Sequence, residues 1–311
     1  MATPDPLRNS LITLLGGCGF LGRYVAQELL RRGARLRVAS RNPDRALALK
    51  PLANLGQLQT GRCNILDRRE VEAAISGSDA VVNLVGSFSG DQKALMGDAA
   101  GQVAETARTA GARALVHVSA IGADANSPAA YGRAKALGEA LVSQHFALAT
   151  ILRPSVIFAE DDNFINMFAG LIQTLPVLPV FAPDARLQPV FADDVAEAVA
   201  IALADPASHG GTTYELGGPV TMTMMELNRR IAAAQHRRRR FISMPDAASA
   251  LFAAMPLTPM SRDQWALLKQ GNCVSGEFPG FDALGIAPRP LELFLDKWME
   301  RYRQHGRFAA A

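Results

Sequence analysis

Apolar positions in the first half of the chain keep two alternating rhythms. Leu11 to Leu15 is a short unbroken apolar run, Leu21, Val25 and Leu29 recur four apart, and Leu36 to Ala39 is a short strand-like stretch again. Short apolar runs read as strands buried on both faces, and the four-residue spacing as one face of a helix, stopped here by Gly33. The alternation continues downstream. A proline-containing helix is expected through the forties and fifties, and a third strand over 58–66. Asp67 is placed to cap the helix that begins RREVEAAISG. Further strands are expected over 80–85 (AVVNLV, ended by Gly86), 114–118 (ALVHV, leading into Ser119) and 147–152. Helices over 92–110 and 130–144 separate them. Strands alternating with helices at this spacing predict an α/β fold with a doubly wound parallel sheet.

Beyond about residue 161 the pattern loosens. Prolines recur at 176, 179, 183 and 189, with short apolar segments between them. A strand is expected at Gln188 to Phe191, and a helix follows with Asp193 or Asp194 as its N-cap. Thr213 to Leu216 reads as a strand and Met222 to Ala234 as a helix. Residues 1–160 are therefore assigned to the domain that holds the parallel sheet. Residues 161–311 are assigned mainly to a smaller C-terminal lobe, with some segments returning to the sheet.

The first turn carries the chemistry. Gly16, Gly19 and Gly22 lie three apart between the first strand and its helix, in GGCGFLG. Such glycines make the tight turn, admit a pyrophosphate to the backbone and let helix pack on strand. The helix N-terminus then favours the phosphates. This is the Rossmann fingerprint in its proper context. The candidate contacts are Gly16, Gly19, Phe20, Leu21 and Gly22. The end of the second strand selects the cofactor. It carries Ser40-Arg41, with no acid until Asp44. An arginine there accommodates a 2′-phosphate, so the reading is NADP(H), NADPH in its reduced form, over NAD(H). The plainer alternative is a solvated loop arginine. Val85, Gly86 and Ser119 fall at the same carboxyl end of the expected sheet, where ligands of such folds bind.

Composition narrows the rest. At 311 residues, 49% hydrophobic and 20% charged, the chain can bury a substantial core, and wholesale disorder is excluded. A net charge of +3 does not call for a nucleic-acid partner. Cys18, Cys63 and Cys273 are scattered and odd in number, which points to a reducing compartment. The histidines show no metal-ligand spacing, so no metal site is expected. No apolar stretch reaches the roughly eighteen residues that span a bilayer.

Tyr131 and Lys135 form a Tyr-x-x-x-Lys pair whose spacing puts both side chains on one helix face. A lysine ammonium beside the phenol is expected to lower its pKa and make it an acid/base near neutrality. Ser119 could hold a carbonyl oxygen while Tyr131 transfers the proton. On its own such a pair is often just an exposed helix pair. Together with GGCGFLG and Ser119 it resembles the short-chain dehydrogenase/reductase superfamily in its extended form, where serine, tyrosine and lysine are the catalytic set.

Three downstream runs, YGRAKALGEALV, ILRPSVIFAEDDNFIN and QPVFADDVAEAVAIAL, resemble one atypical branch of that superfamily. The branch contains the accessory Rossmann-type subunit of mitochondrial respiratory complex I and its bacterial relatives. The segment MSRDQWALLKQGNCVSGEFPGFDALGIAPRPLE is similar to the bacterial members. The resemblance implies tight NADPH binding in an accessory or stabilising protein of the quinone-linked respiratory system, with complex I or ubiquinone-synthesis proteins as partners. It also implies that Pro154 to Val156 flank the nicotinamide and that Asn64 and Ile65 flank the adenine. The alternative is an active NADPH-dependent oxidoreductase or epimerase acting on a small carbonyl compound.

Three features bear on location, expected to be cytoplasmic and peripheral on the cytoplasmic face of the inner membrane. Arg237 to Arg240 is either a solvated helix end, the plainer reading, or an attraction for an anionic membrane surface. The apolar, proline-broken segment 247–260 is either lobe core or a docking surface. A terminal helix over 291–303, with Leu291, Leu295, Trp298 and Tyr302 on one face, either packs on its own domain or docks at the interface.

Overall fold

The computed structural model describes residues 5–247, 249 and 261–304. The chain divides into two compact units. The first comprises Met1–Pro154, Ala192–Leu216 and Ser275–Ala287; the second comprises Ser155–Phe191, Gly217–Val274 and Pro288–Ala311. The expected boundary at 160 thus falls inside the second unit. The segments that return to the first unit are Ala192–Leu216 and Ser275–Ala287.

The first unit is built on a parallel sheet, seven-stranded among the described residues. Its strands are β1 (Leu11–Leu15), β2 (Arg35–Ser40), β3 (Leu58–Arg62), β4 (Ala80–Asn83), β5 (Ala114–Val118), β6 (Thr150–Pro154) and a last strand, Thr213–Leu216. The spatial order is the last strand, then β6, β5, β4, β1, β2 and β3. Chain order reverses between β1 and β4, and the crevice at such a switch point is where nucleotides bind. The helices are α1 (Phe20–Arg31), α2 (Arg68–Ile75), α3 (Ala99–Thr109) and α4 (Ala130–His145). The last three bury Val71, Val103 and Val142 against Leu15, Val81 and Leu115 of the sheet. α1 packs with the helix Ala192–Ala204, which also meets β5 and β6. The inner strands β1, β4 and β5 are buried on both faces, which explains their unbroken apolar runs, whereas the edge strand β3 is polar and largely exposed.

Element ends differ from expectation where side chains cut the backbone ladder. β3 stops at Arg62 because Asn64 turns the chain: its Oδ1 accepts from Leu66 N and its carbonyl from Asp67 N. β4 stops at Asn83, whose Oδ1 accepts from Val85 N. β6 starts at Thr150, after a turn in which Ala149 N bonds to Phe146 O. The helix expected in the forties is the 3-10 stretch Pro43–Leu52, and the helix expected over 92–110 opens with a π turn, Lys93–Asp98. Asp67 does cap α2, accepting from Arg69 N and Glu70 N. Asp193 and Asp194 are not N-caps. The helix already starts at Ala192, and both aspartates lie in its first turn, where a carboxylate still favours the dipole.

The second unit carries the helices Phe164–Thr174, Met224–Ala234, Arg262–Gln270 and Glu292–Trp298. Its expected strand over 188–191 shrinks to Val190–Phe191, paired in parallel with Ile157–Phe158. Thr223 and Glu226 close a capping box at the start of Met224–Ala234. The terminal helix ends at Trp298 and tightens into a 3-10 turn, Met299–Tyr302. Leu291 and Leu295 are buried, Phe294 stacks on Trp298 and on Phe191, and the Arg289 guanidinium lies 4.5 Å over the Phe191 ring. This face packs within its own unit. Two members of the arginine run are also used internally: Arg237 donates to Tyr302 O, and Arg239 to Ile172 O and Gln173 O. The segment 247–260 lies almost wholly outside the described residues. Among those described, no helix is long and apolar enough to cross a membrane.

Candidate cofactor and active site

The glycine turn is shaped by close approaches that no other residue could make. Gly16 has φ +80°, and a Cβ there would lie 3.2 Å from Leu84 C and from Val85 Cγ2 on the neighbouring strand end. A Cβ at Gly22 would fall 2.6 Å from Gly17 backbone atoms. Gly19 is exposed and immediately precedes α1, with no side chain to cap the helix. The N–H groups of the first turn, those of Phe20, Leu21 and Gly22 among them, have no intrahelical acceptor and carry the positive end of the dipole. The result is an anion cradle at the end of β1.

Ser40 ends β2, half-buried, and Arg41 follows it into solvent. The Ser40 hydroxyl lies 3.1 Å from the Cys18 thiol, tying the glycine loop to the end of β2. Sequence reasoning used Cys18 only to infer redox compartment, although its place inside GGCG already put it in the loop. Asn64 and Ile65 follow β3. The Asn64 side chain is engaged in the local turn, and Ile65 is buried in the core beneath α2 and α3. Pro154 is the last residue of β6, where its carbonyl accepts from Ile121 N. Val156 belongs to the second unit, where its N–H donates to Asn272 Oδ1.

Ser119 follows directly on β5. It is buried, and its Oγ has no hydrogen-bond partner. Lys135, on α4, is buried as well. Its Nζ donates to Val118 O at 2.9 Å and to Val85 O at 3.5 Å, and lies 6.0 Å from the centre of the Tyr131 ring. Gly86 adjoins this corner: a Cβ there would lie 3.7 Å from Lys135 Nζ, an ordinary contact. Tyr131, in the first turn of α4, stacks on Phe88. Ser119, Tyr131, Lys135, Val85 and Gly86 thus belong to one corner of the first unit.

The electrostatics differ from the expected phenolate-forming pair. Burial pushes the Tyr131 phenol up to about 12. Burial also pushes Lys135 down to about 8, against an upward pull from Glu139. A lysine whose protons go to two carbonyls, and whose charge is itself disfavoured, gives the phenol little help. In this arrangement the Tyr131 phenol is held neutral. Behind the set lies His117, fully buried on β5 and pushed down to about 3, by burial first and by the nearby Lys135 charge second. Asn83 Nδ2 lies 3.2 Å from His117 Nδ1. The Asn83 Oδ1 already accepts from Val85, so Nδ2 donates and the imidazole proton sits on Nε2. That Nε2 has no partner. A polar residue within each of the runs AVVNLV and ALVHV was the signal that could have revealed this pair.

A nicotinamide dinucleotide fits these residues. The glycine cradle is shaped for a diphosphate, and the buried, unpartnered Ser119 hydroxyl provides a donor where the sheet opens. Fold and site together define an NAD(P)H-binding Rossmann protein of the short-chain dehydrogenase/reductase type. Residues 16–169 match a family model described as NAD(P)H-binding. Over 314 aligned residues the chain is 29% identical to the mitochondrial NADH dehydrogenase (ubiquinone) 1 alpha subcomplex subunit 9 of Arabidopsis thaliana, covering 94% of this chain and 78% of that protein. Its counterpart in Mus musculus is 29% identical over 307 residues, covering 94% of this chain and 80% of that protein. A crystal structure of an NADPH-dependent quinone oxidoreductase from Escherichia coli, complexed with NADPH, shares the fold with a TM-score of 0.73 at 20% identity. It covers 93% of this chain and 99% of that one. The chain carries an NAD(P)H-binding domain of short-chain dehydrogenase/reductase-like fold and is homologous to that complex I subunit.

Proposed function

We propose that the chain holds NADPH in its first unit and serves as an accessory or stabilising factor of the quinone-linked respiratory system, at complex I or in ubiquinone synthesis. The observation that carries this reading is the likeness to subunit 9 across 94% of the chain. NADPH rather than NADH follows from Ser40 and Arg41, whose hydroxyl and guanidinium suit a 2′-phosphate. The protein is placed in the cytoplasm, peripheral at the cytoplasmic face of the inner membrane. Arg238 and Arg240, both exposed, would add roughly 1 kcal/mol each toward an anionic surface. The test is affinity capture of the full chain from gently solubilised membranes, with the bound nucleotide quantified. Complex I or quinone-synthesis proteins together with NADPH that resists oxidation are expected. A wholly soluble protein without such partners overturns the accessory reading.

A second reading is favoured by the unpartnered Ser119 hydroxyl. In a carbonyl reductase of this type, bound NADPH supplies the hydride to the carbonyl carbon. Ser119 would hold the carbonyl oxygen, Tyr131 would give it a proton, and Lys135 would orient the nicotinamide ribose. NADPH oxidation across a carbonyl and quinone panel, lost in Tyr131→Phe while nucleotide binding persists, would establish that activity.

A further inference from the structure

We infer that Phe88 is a built-in occupant of the substrate position over Tyr131, and that the ligand this position takes is a planar, uncharged aromatic or quinonoid ring. The inference rests on the nucleotide-site reading above and names the ligand class of that same site. The rings of Phe88 and Tyr131 stack with centroids 4.4 Å apart and planes 19° from parallel. Phe88 is nevertheless 52% exposed, so its ring is not part of the buried core. It lies on the Tyr131 ring from the solvent side, and that is how a flat ligand would have to arrive.

The loop that carries Phe88 is built to hold its shape without that ring. Ser87 Oγ donates to Ser89 O, Ser89 N donates to Ser87 Oγ, and Gln92 Nε2 donates to Phe88 O. All of these bonds use backbone or neighbouring side chains, so the Phe88 ring can swing away without breaking them. Glycines bracket the loop at 86 and 90, and Gly90 has φ +79°. Ser119 follows Val118, whose carbonyl accepts from the Lys135 ammonium 6.0 Å from the Tyr131 ring centre, and its buried Oγ is an unused donor for a ligand oxygen. A stacked aromatic pair is worth up to roughly tenfold in an equilibrium constant, which sets the penalty that a displacing ligand meets.

The experiment uses the full chain saturated with NADP⁺, with 1,4-naphthoquinone as the probe in equilibrium dialysis. Phe88→Ala should bind it about three- to tenfold more tightly than the parent. Phe88→Trp, a larger competitor, should bind it more weakly, and Tyr131→Leu should lose binding. The NADP⁺ affinity of both Phe88 variants should stay within about twofold of the parent, since the glycine cradle is untouched. Equal or weaker naphthoquinone binding by Phe88→Ala overturns the inference, as does absence of binding in every variant. A parent that binds no NADP⁺ sinks the cofactor reading instead; the same dialysis without nucleotide then still decides the role of Phe88.

Discussion

The glycine cradle and the Ser119–Tyr131–Lys135 set stand at the carboxyl ends of strands in one sheet, yet they are made of different material. The cradle is backbone. Its shape follows from close contacts at Gly16 and Gly22 that leave no room for a side chain. The Ser119–Tyr131–Lys135 set is all side chain, and none of its members engages another: the phenol is held neutral and covered by Phe88, the lysine donates to carbonyls, and the serine hydroxyl has no partner. Binding is therefore built into the fold, whereas turnover would need a ligand to complete the geometry. This is the arrangement expected if a dinucleotide is retained mainly as a fixture.

Substitutions can break or sharpen that contrast. The largest effect is expected from Gly22→Val, because the added atoms meet Gly17 backbone rather than a yielding side chain. A loss of about 4 kcal/mol or more, with nucleotide binding lost alongside, should appear in urea unfolding and NADPH titration. A near-neutral result would show that the turn can relax. Next comes His117. Its folded pKa lies below its unfolded value, so its contribution to stability is complete above pH 6.5 and drains away as pH falls toward about 3. Between pH 6.5 and pH 4 the parent should lose roughly 3 kcal/mol more than His117→Gln does. Parallel pH–stability curves for the two would show that the imidazole is not held neutral.

Arg41→Glu should weaken NADPH about a hundredfold, since it removes a charge-assisted bond and adds repulsion, and NADH by no more than about threefold. Equal losses for both cofactors would refute the 2′-phosphate assignment. The smallest effect belongs to Ser119→Ala. Removing an unpartnered buried hydroxyl should raise the stability of the nucleotide-free protein by up to about 1 kcal/mol. A clear destabilisation would mean that Oγ already has a structural partner.

Much of the first unit could be read from sequence because its signals are local. The glycine turn, the apolar strands and the Asp67 cap each depend on a few adjacent residues. What could not be read is set by contacts distant in the chain. The neutral state of Tyr131 depends on burial that Tyr-x-x-x-Lys spacing does not encode. The Phe88 stack joins two segments some forty residues apart in the chain. The arginine run looked like a bare charge cluster because the carbonyls that Arg237 and Arg239 satisfy lie far away along the chain.

One consequence concerns the order in which the molecule is made. Arg153, next to last in the first continuous stretch, can bind Glu139 bidentately as soon as both are present. Its other neighbours, Glu215 and the Phe278 ring, belong to segments made much later. The glycine turn, Arg41, Ser119, Tyr131 and Lys135 all leave the ribosome within Met1–Pro154, while β6 still waits for its outer neighbour, Thr213–Leu216. Translation from Pro154 to Ala287 lasts roughly 7–27 s, and in its first part six of the seven described strands of the sheet have been made without the last. A nucleotide that binds the folded first unit would stabilise it by mass action during that interval, before the last strand arrives.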